Sequence, residues 1–141
     1  GDRLMSSFKI FDIAGSGMNA QNLRMNIVAS NMANVDAVSS SIDQTYRARQ
    51  PVFRALFDQF AGQGPAAGVE MAGVVESQAP LVREYSPNHK MADEEGYIYR
   101  PNVNVVEEMA NMISASRAYQ NNVEVLNATR QMLSATINLG R

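Results

Sequence analysis

R-P-N-V-N-V-V-E-E-M-A-N-M-I-S-A-S-R-A-Y-Q-N-N-V-E-V-L-N-A-T-R-Q-M, residues Arg100–Met132, decides the architecture. Val105, Met112, Tyr119, Leu126 and Leu133 recur every seven residues, and Met109, Ser116, Val123, Arg130 and Ile137 fill the complementary row. That is the a/d spacing of a helix whose apolar stripe pairs with another helix. Asn104 stands three residues before Glu107, a variant of the capping box in which each side chain bonds the other's backbone N–H. Gly140 suits the left-handed position just past a helix end. The spacing predicts one helix of about 35 residues, roughly 50 Å long at the usual rise per residue.

A matching pattern lies at the other end of the chain. Phe11, Met18, Met25 and Met32 repeat every seven residues, with Leu4 extending the row, and Ala14, Gln21, Val28 and Val35 form the partner row. Ile13, Ala20, Leu23 and Ile27 widen the apolar face. Ser6 or Ser7 is the expected N-cap and Asn34-Val-Asp the expected stop. Gly15 and Gly17 cost this helix about 1 kcal/mol each while allowing close backbone approach. Its length comes to about 40 Å. A compact chain of this size has a diameter of about 37 Å, so the longer helix must project at least partly and pack on something else.

Charge follows the same division. Ile13–Val35 contains one charged residue, Arg24, and Met109–Arg141 contains four, whereas Asp36–Arg100 contains 15. The faces away from the heptad rows carry amides and hydroxyls: Ser16, Asn19, Asn22, Asn26, Ser30, Asn31 and Asn34 in the first helix, and Asn111, Ser114, Gln120, Asn121, Asn122, Asn127 and Asn138 in the second. Solvated helices usually carry Glu and Lys there. Neutral amides tolerate desolvation better than charges when they are hydrogen-bonded. The helices are therefore expected to be enclosed by protein on several sides, which requires other copies or other chains. The candidate subunit-interface residues are Phe11, Met18, Met25, Val28, Asn31, Met32 and Asn34 on the first helix, and Met112, Tyr119, Asn122, Val123, Leu126 and Leu133 on the second. The plainer alternative is an isolated antiparallel coiled coil with polar outer faces.

The middle reads as β-structure. Val69–Ser77, Pro80–Tyr85 and Tyr97–Arg100 are strand candidates, punctuated by Gly62, Gly64, Pro65, Gly68, Pro80, Pro87, Gly96 and Pro101. Ser39–Ser41 reads as a loop. Tyr46–Phe60 is either a strand ending at Pro51 or an extended element followed by a helical turn. The fold class is thus α+β: long N- and C-terminal helices pairing as an antiparallel coiled coil, with a small β-rich insert. The expected segments are 1–36 (with 1–4, ahead of Met5, as added or leader residues), 37–101 and 102–141.

Composition excludes several chemistries. The 141 residues include no cysteine and one histidine, His89, which removes thiolate catalysis, disulfide scaffolds and His-rich metal sites. A net charge of −2 argues against nucleic acid as a partner. No apolar run reaches the roughly 18 residues of a membrane span, and Lys9 and Asp12 interrupt the only signal-like stretch. Asp93-Glu94-Glu95 lacks the alternating spacing of a calcium loop and reads as a solvated turn. His89 has no nucleophile beside it to activate. Arg47, Arg49 and Arg54, with Tyr46 and Phe53, read as a surface for pairing between subunits. Gly15-Ser-Gly17 follows no strand and so is no phosphate loop. No catalytic constellation and no cofactor emerge.

A-S-N-M-A-N-V-D-A (Ala29–Ala37), behind the heptad helix, resembles the S-N-x-A-N signature near the N-terminus of bacterial flagellar rod and hook axial proteins. Arg100–Met132 resembles their C-terminal helix. Y-R-A-R-Q-P-V-F (Tyr46–Phe53), V-V-E-S-Q-A-P (Val74–Pro80) and Y-I-Y-R-P-N-V-N (Tyr97–Asn104) are similar to the short proximal-rod members, and the resemblance covers residues 5–141. Asp36-Ala-Val-Ser-Ser stands where many axial proteins have an Asn-Thr-Pro-Gly-Tyr type sequence. The resemblance implies a non-enzymatic structural subunit of the proximal rod, the drive shaft of the flagellar motor. It also implies export through the flagellar type III apparatus without a cleaved signal, and assembly in the periplasmic basal body with further copies of itself, FlgB, FlgF, FlgG and the adaptor FliE. The alternative from another class is a dimeric coiled-coil adaptor that binds one partner through its β insert.

Overall fold

The computed structural model describes residues 2–57 and 66–140, with side chains described for 7–56 and 68–140. Helix α1 spans Asp2–Ala33 and helix α2 spans Val105–Leu139. Between them lie a short 3-10 turn at Ile42–Gln44 and four strands: β1 (Arg49–Phe57), β2 (Ala66–Glu76), β3 (Val82–Tyr85) and β4 (Tyr97–Arg100). β1 pairs with β2, and β3 with β4, in two separate two-stranded antiparallel sheets. The class is α+β, with terminal helices flanking a small β insert.

Helix α2 has 35 residues and is capped by Asn104, whose side chain accepts from the N–H groups of Val106 and Glu107. Gly140 ends the helix with φ −79°, its N–H bonded to the Thr136 carbonyl, rather than in the expected left-handed conformation. Helix α1 begins at Asp2, so Ser6 and Ser7 lie inside it and neither is the N-cap. The apolar row continues upstream through Leu4, and serine inside a helix costs only a few tenths of a kcal/mol. At the far end the Asn34 side chain and N–H both bond the Ser30 carbonyl, closing the helix at the predicted stop.

The segment after α1 is ordered by serines. Ser39 forms an isolated bridge with Tyr99, its N–H and carbonyl both bonded, on the edge of β4 that β3 does not pair. Ser41 caps the 3-10 turn by accepting from the Gln44 N–H. A loop was expected at Ser39–Ser41; the bridge satisfies backbone groups that would otherwise be buried unpaired.

β1 runs through Pro51 instead of stopping there. Arg49 turns its N–H and carbonyl away from β2, and the residue two positions on faces the same side. The N–H that Pro51 lacks is therefore on the unpaired edge, where proline is tolerated. Two register shifts, at Val52/Phe53 and Leu56/Phe57, match the 11 residues of β2 to the 9 of β1. Residues 58–60 of the Tyr46–Phe60 segment, together with Gly62, Gly64 and Pro65, lie outside the described residues.

The β1–β2 hairpin lies on α1. Ser16 Oγ donates to the Ile13 carbonyl and accepts from the Val69 N–H at 3.0 Å. Gly68 (φ +153°) sits directly beneath it, where a Cβ would lie 2.5 Å from Ser16 Oγ. The β3–β4 ribbon buries Ile98 and is held by exposed Arg83–Glu95 and Arg100–Glu84 pairs. The Glu84 hydrogen bond and charge raise the pKa of Arg100. The apolar core is otherwise built of small residues: Ala14, Ala20, Val28, Ala48 and Ala115.

Candidate subunit-interface surface

The two long helices meet along a seam of small and polar residues. A Cβ on Gly17 would lie 2.7 Å from Asn122 Nδ2, so the helix backbones come close there. Further along, Arg24 Nη1 reaches Ser114 Oγ at 3.5 Å and Asn31 Nδ2 donates to Glu108 Oε2 at 3.1 Å. These contacts advance along α1 while they retreat along α2.

The buried positions of α2 are Glu108, Ala115 and Thr129, with Asn122 half-buried on the same seven-residue row. This row flanks Met112, Tyr119, Leu126 and Leu133, all half-buried. The expected complementary row is displaced by one residue: Met109, Arg130 and Ile137 are exposed, and only Ser116 and Val123 are half-buried. One residue is about 100° around a helix. The displacement arises because periodicity follows large apolar side chains, whereas this seam is closed by Ala, Gly and hydrogen-bonded polar groups. Thr129, for instance, donates to the Val125 carbonyl and so needs no outside partner. Asn31 and Asn122, assigned from sequence to the outward amide faces, both point into the seam. The same seven-residue spacing of Glu108, Ala115, Asn122 and Thr129 was present in the sequence, but its mixed chemistry concealed it.

Phe11, Met18, Met25 and Met32 on α1 and Asn34 just past its end are half-buried, and Val28 and Asn31 are buried within the chain itself. What α2 leaves open is a stripe that combines Met109 of the complementary row with two residues on neither row: Val106, Met109 and Ile113 are 75%, 51% and 55% exposed. Their i, i+3, i+7 spacing puts them on one face. An open groove of about 450 Å³ between α1 and β2 is lined by Leu23, Ile27, Met71 and Val74 among others.

The acidic cluster, the histidine and the arginines of the insert are engaged within the chain. Asp93 Oδ1 accepts from the N–H groups of Glu95 and Tyr97, which makes the acidic cluster a turn. His89 Nδ1 accepts from the Met91 N–H. Arg54 pairs with Glu70, Arg47 donates to the Ser77 and Ala79 carbonyls, and Arg49 stacks on Tyr46. Each of these arginines thus has a partner within the chain.

Two family profiles match the helical ends. "Flagella basal body rod protein" covers residues 11–39, and "Flagellar basal body rod FlgEFG protein C-terminal" covers 94–139. The chain is 49% identical over 137 residues to the flagellar basal-body rod protein FlgC of Salmonella typhimurium, covering 97% of this chain and 100% of that one. The chain belongs to the FlgC family of flagellar basal-body rod proteins. FlgC of Yersinia enterocolitica is 46% identical over the same shares. FlgC of Borreliella burgdorferi is 33% identical, covering 94% of this chain and 97% of its own. This FlgC-family chain is a structural subunit of the flagellar basal-body rod and not an enzyme. Among the described residues, no helix is long and apolar enough to cross a membrane.

Proposed function

We propose that this FlgC-family chain is a building block of the proximal rod that self-assembles through its terminal helices, paired as an antiparallel coiled coil. The observation that carries this reading is the combination of a closed seam between α1 and α2 with the open apolar stripe Val106–Met109–Ile113 on the other side of α2. A helix needs tertiary packing for most of its stability, and a face with three large exposed apolar residues calls for a neighbour. The seam's contact order, Gly17–Asn122, Arg24–Ser114, Asn31–Glu108, supports the antiparallel sense.

On this reading residues 1–36 and 102–141 form the rod wall and 37–101 an outer β-rich unit. The half-buried Phe11, Met18, Met25, Met32, Asn34, Met112, Tyr119, Asn122, Val123, Leu126 and Leu133 border the contacts with neighbours. Those neighbours are further copies of the chain, FlgB, FlgF, FlgG and FliE. Delivery is by the flagellar type III apparatus, without a cleaved signal, to the periplasmic rod. No specific observation favours the dimeric adaptor.

Because the chain has no cysteine, a single Ile113→Cys reports its surroundings without background. The thiol should react with a water-soluble maleimide in the free chain and be protected in purified basal bodies. Equal reactivity in both would sink the assembly surface.

A further inference from the structure

The hairpin's base is held by two asparagine side chains, one at the end of α1 and one in the segment that leads into α2. Asn31, 1% exposed at the end of α1, uses its whole hydrogen-bonding capacity. Its Nδ2 donates to the Arg49 carbonyl at 2.9 Å and to Glu108 Oε2 at 3.1 Å. Its Oδ1 accepts from the Arg49 N–H at 2.9 Å and from the Tyr46 hydroxyl at 2.7 Å. Toward Arg49 the carboxamide thus behaves as a strand residue would, closing the first position of β1 on the edge that β2 does not pair. The adjacent residue is gripped from the opposite side. The Ala48 N–H donates to Asn102 Oδ1 at 2.7 Å, while Asn102 Nδ2 donates to the Ser77 and Ala79 carbonyls. Asn102 lies just before α2, and the Ser77 N–H bonds the Ala48 carbonyl.

We propose that Asn31, with Glu108 behind it, is the joint that fixes the β1–β2 hairpin to the helix pair, so that hairpin and helices turn as one rigid body. Neighbouring strand residues point their backbone groups to opposite sides. A grip on Ala48 from one side and on Arg49 from the other removes the two directions in which a hairpin base swings. A buried polar group keeps one arrangement only when every partner is present, and Asn31 has all four. Glu108, 7% exposed, is held in the seam by the Asn31 amide. The consequence for the rod, transmission of torsion from helices to hairpin without slack, rests on the function proposed above; the joint itself does not.

The test separates the two. Amide hydrogen exchange is measured at Arg49 in the full chain, with Ala115 in α2 and Val75 in β2 as references, for wild type, Asn31→Asp, Glu108→Gln and the double variant. Asn31→Asp sets one carboxylate against another and withdraws the donor from the Arg49 carbonyl. Protection of the Arg49 N–H should then fall about tenfold or more, while both references hold. Glu108→Gln alone should leave protection near wild type, since its amide oxygen still accepts from Asn31. In the double variant the introduced glutamine amide donates to the introduced carboxylate, so protection should recover in part. Unchanged protection in Asn31→Asp, a parallel loss at the references, or no recovery in the double variant would each overturn the joint. Swimming of cells carrying each variant as their only copy tests the consequence: normal swimming of Asn31→Asp, with Arg49 protection lost, would overturn torsional transmission and leave the joint standing.

Discussion

Gly15 and Gly17 lie two positions apart on α1 and have opposite surroundings. Around Gly15 a Cβ would meet nothing within 4 Å, whereas at Gly17 it would meet Asn122 Nδ2 at 2.7 Å. Alanine exceeds glycine in a helix interior by about 1 kcal/mol. Gly15→Ala is therefore expected to stabilise the chain by about that amount in urea unfolding. Gly17→Ala should gain nothing, because Asn122 must move aside. Adding Asn122→Ala to it should restore the gain, and an equal gain from the two single glycine changes would refute the close approach. Asn122→Asp belongs to the same contact. A half-buried charge facing a helix backbone should cost about 1–3 kcal/mol; a silent substitution would mean that Asn122 is solvated.

At the scale of elements, the seat of the hairpin on α1 depends on one hydroxyl and one glycine. Gly68→Ala places a methyl against Ser16 Oγ and asks a β-carbon residue to hold a left-handed φ. Such backbone strain costs about 1–3 kcal/mol, so the melting temperature should fall and the Val69 amide should lose protection together with its bond to Ser16. Ser16→Ala in the same chain should recover the steric part of the loss and leave the backbone part. Full recovery would show that the conformation of Gly68 is unstrained, and no recovery that Ser16 is not the obstacle. The helices themselves were legible before the structure. The extent of α2, its Asn104 cap and the Asn34 stop follow from local hydrogen bonding and a repeat carried by whole side chains. The start of α1 was not, because serine is nearly neutral inside a helix and signals a cap only when nothing upstream continues the pattern.

For the whole molecule, exposure separates residues that hold the chain together from those left for assembly. Met109 and Ile113 are more than half exposed and adjoin Val106. Substitution of both by Asp should leave the stability of the free chain within about 0.5 kcal/mol, as is usual for surface positions. The same variant should abolish swimming and leave basal bodies without a completed rod in electron micrographs. A large drop in melting temperature would mean that this face is already packed within the chain, and normal swimming that it meets no neighbour. Ser134–Leu139, exposed at every position, end α2 as the projection that its length required.

Sequence alone determined two long helices, the Asn104 cap and the Asn34 stop, strands β2 to β4 to within a few residues, and the family, because each of these is written in local spacing or in contiguous motifs. It also identified the acidic cluster as a turn, since Asp followed by Glu-Glu-Gly satisfies its own backbone. Only the tertiary structure decided which face of α2 meets α1. Glu108, Ala115, Asn122 and Thr129 share no hydrophobicity that a periodicity can follow: Ala115 fits the seam by small volume, Asn122 by lying against Gly17, Thr129 by a bond to its own helix and Glu108 by a bond to Asn31, distant in the chain. It alone decided the place of Asn31 as well. Asparagine pays for burial only when its partners are assembled, and those partners, Tyr46, Arg49 and Glu108, come from separate stretches that folding brings to one point.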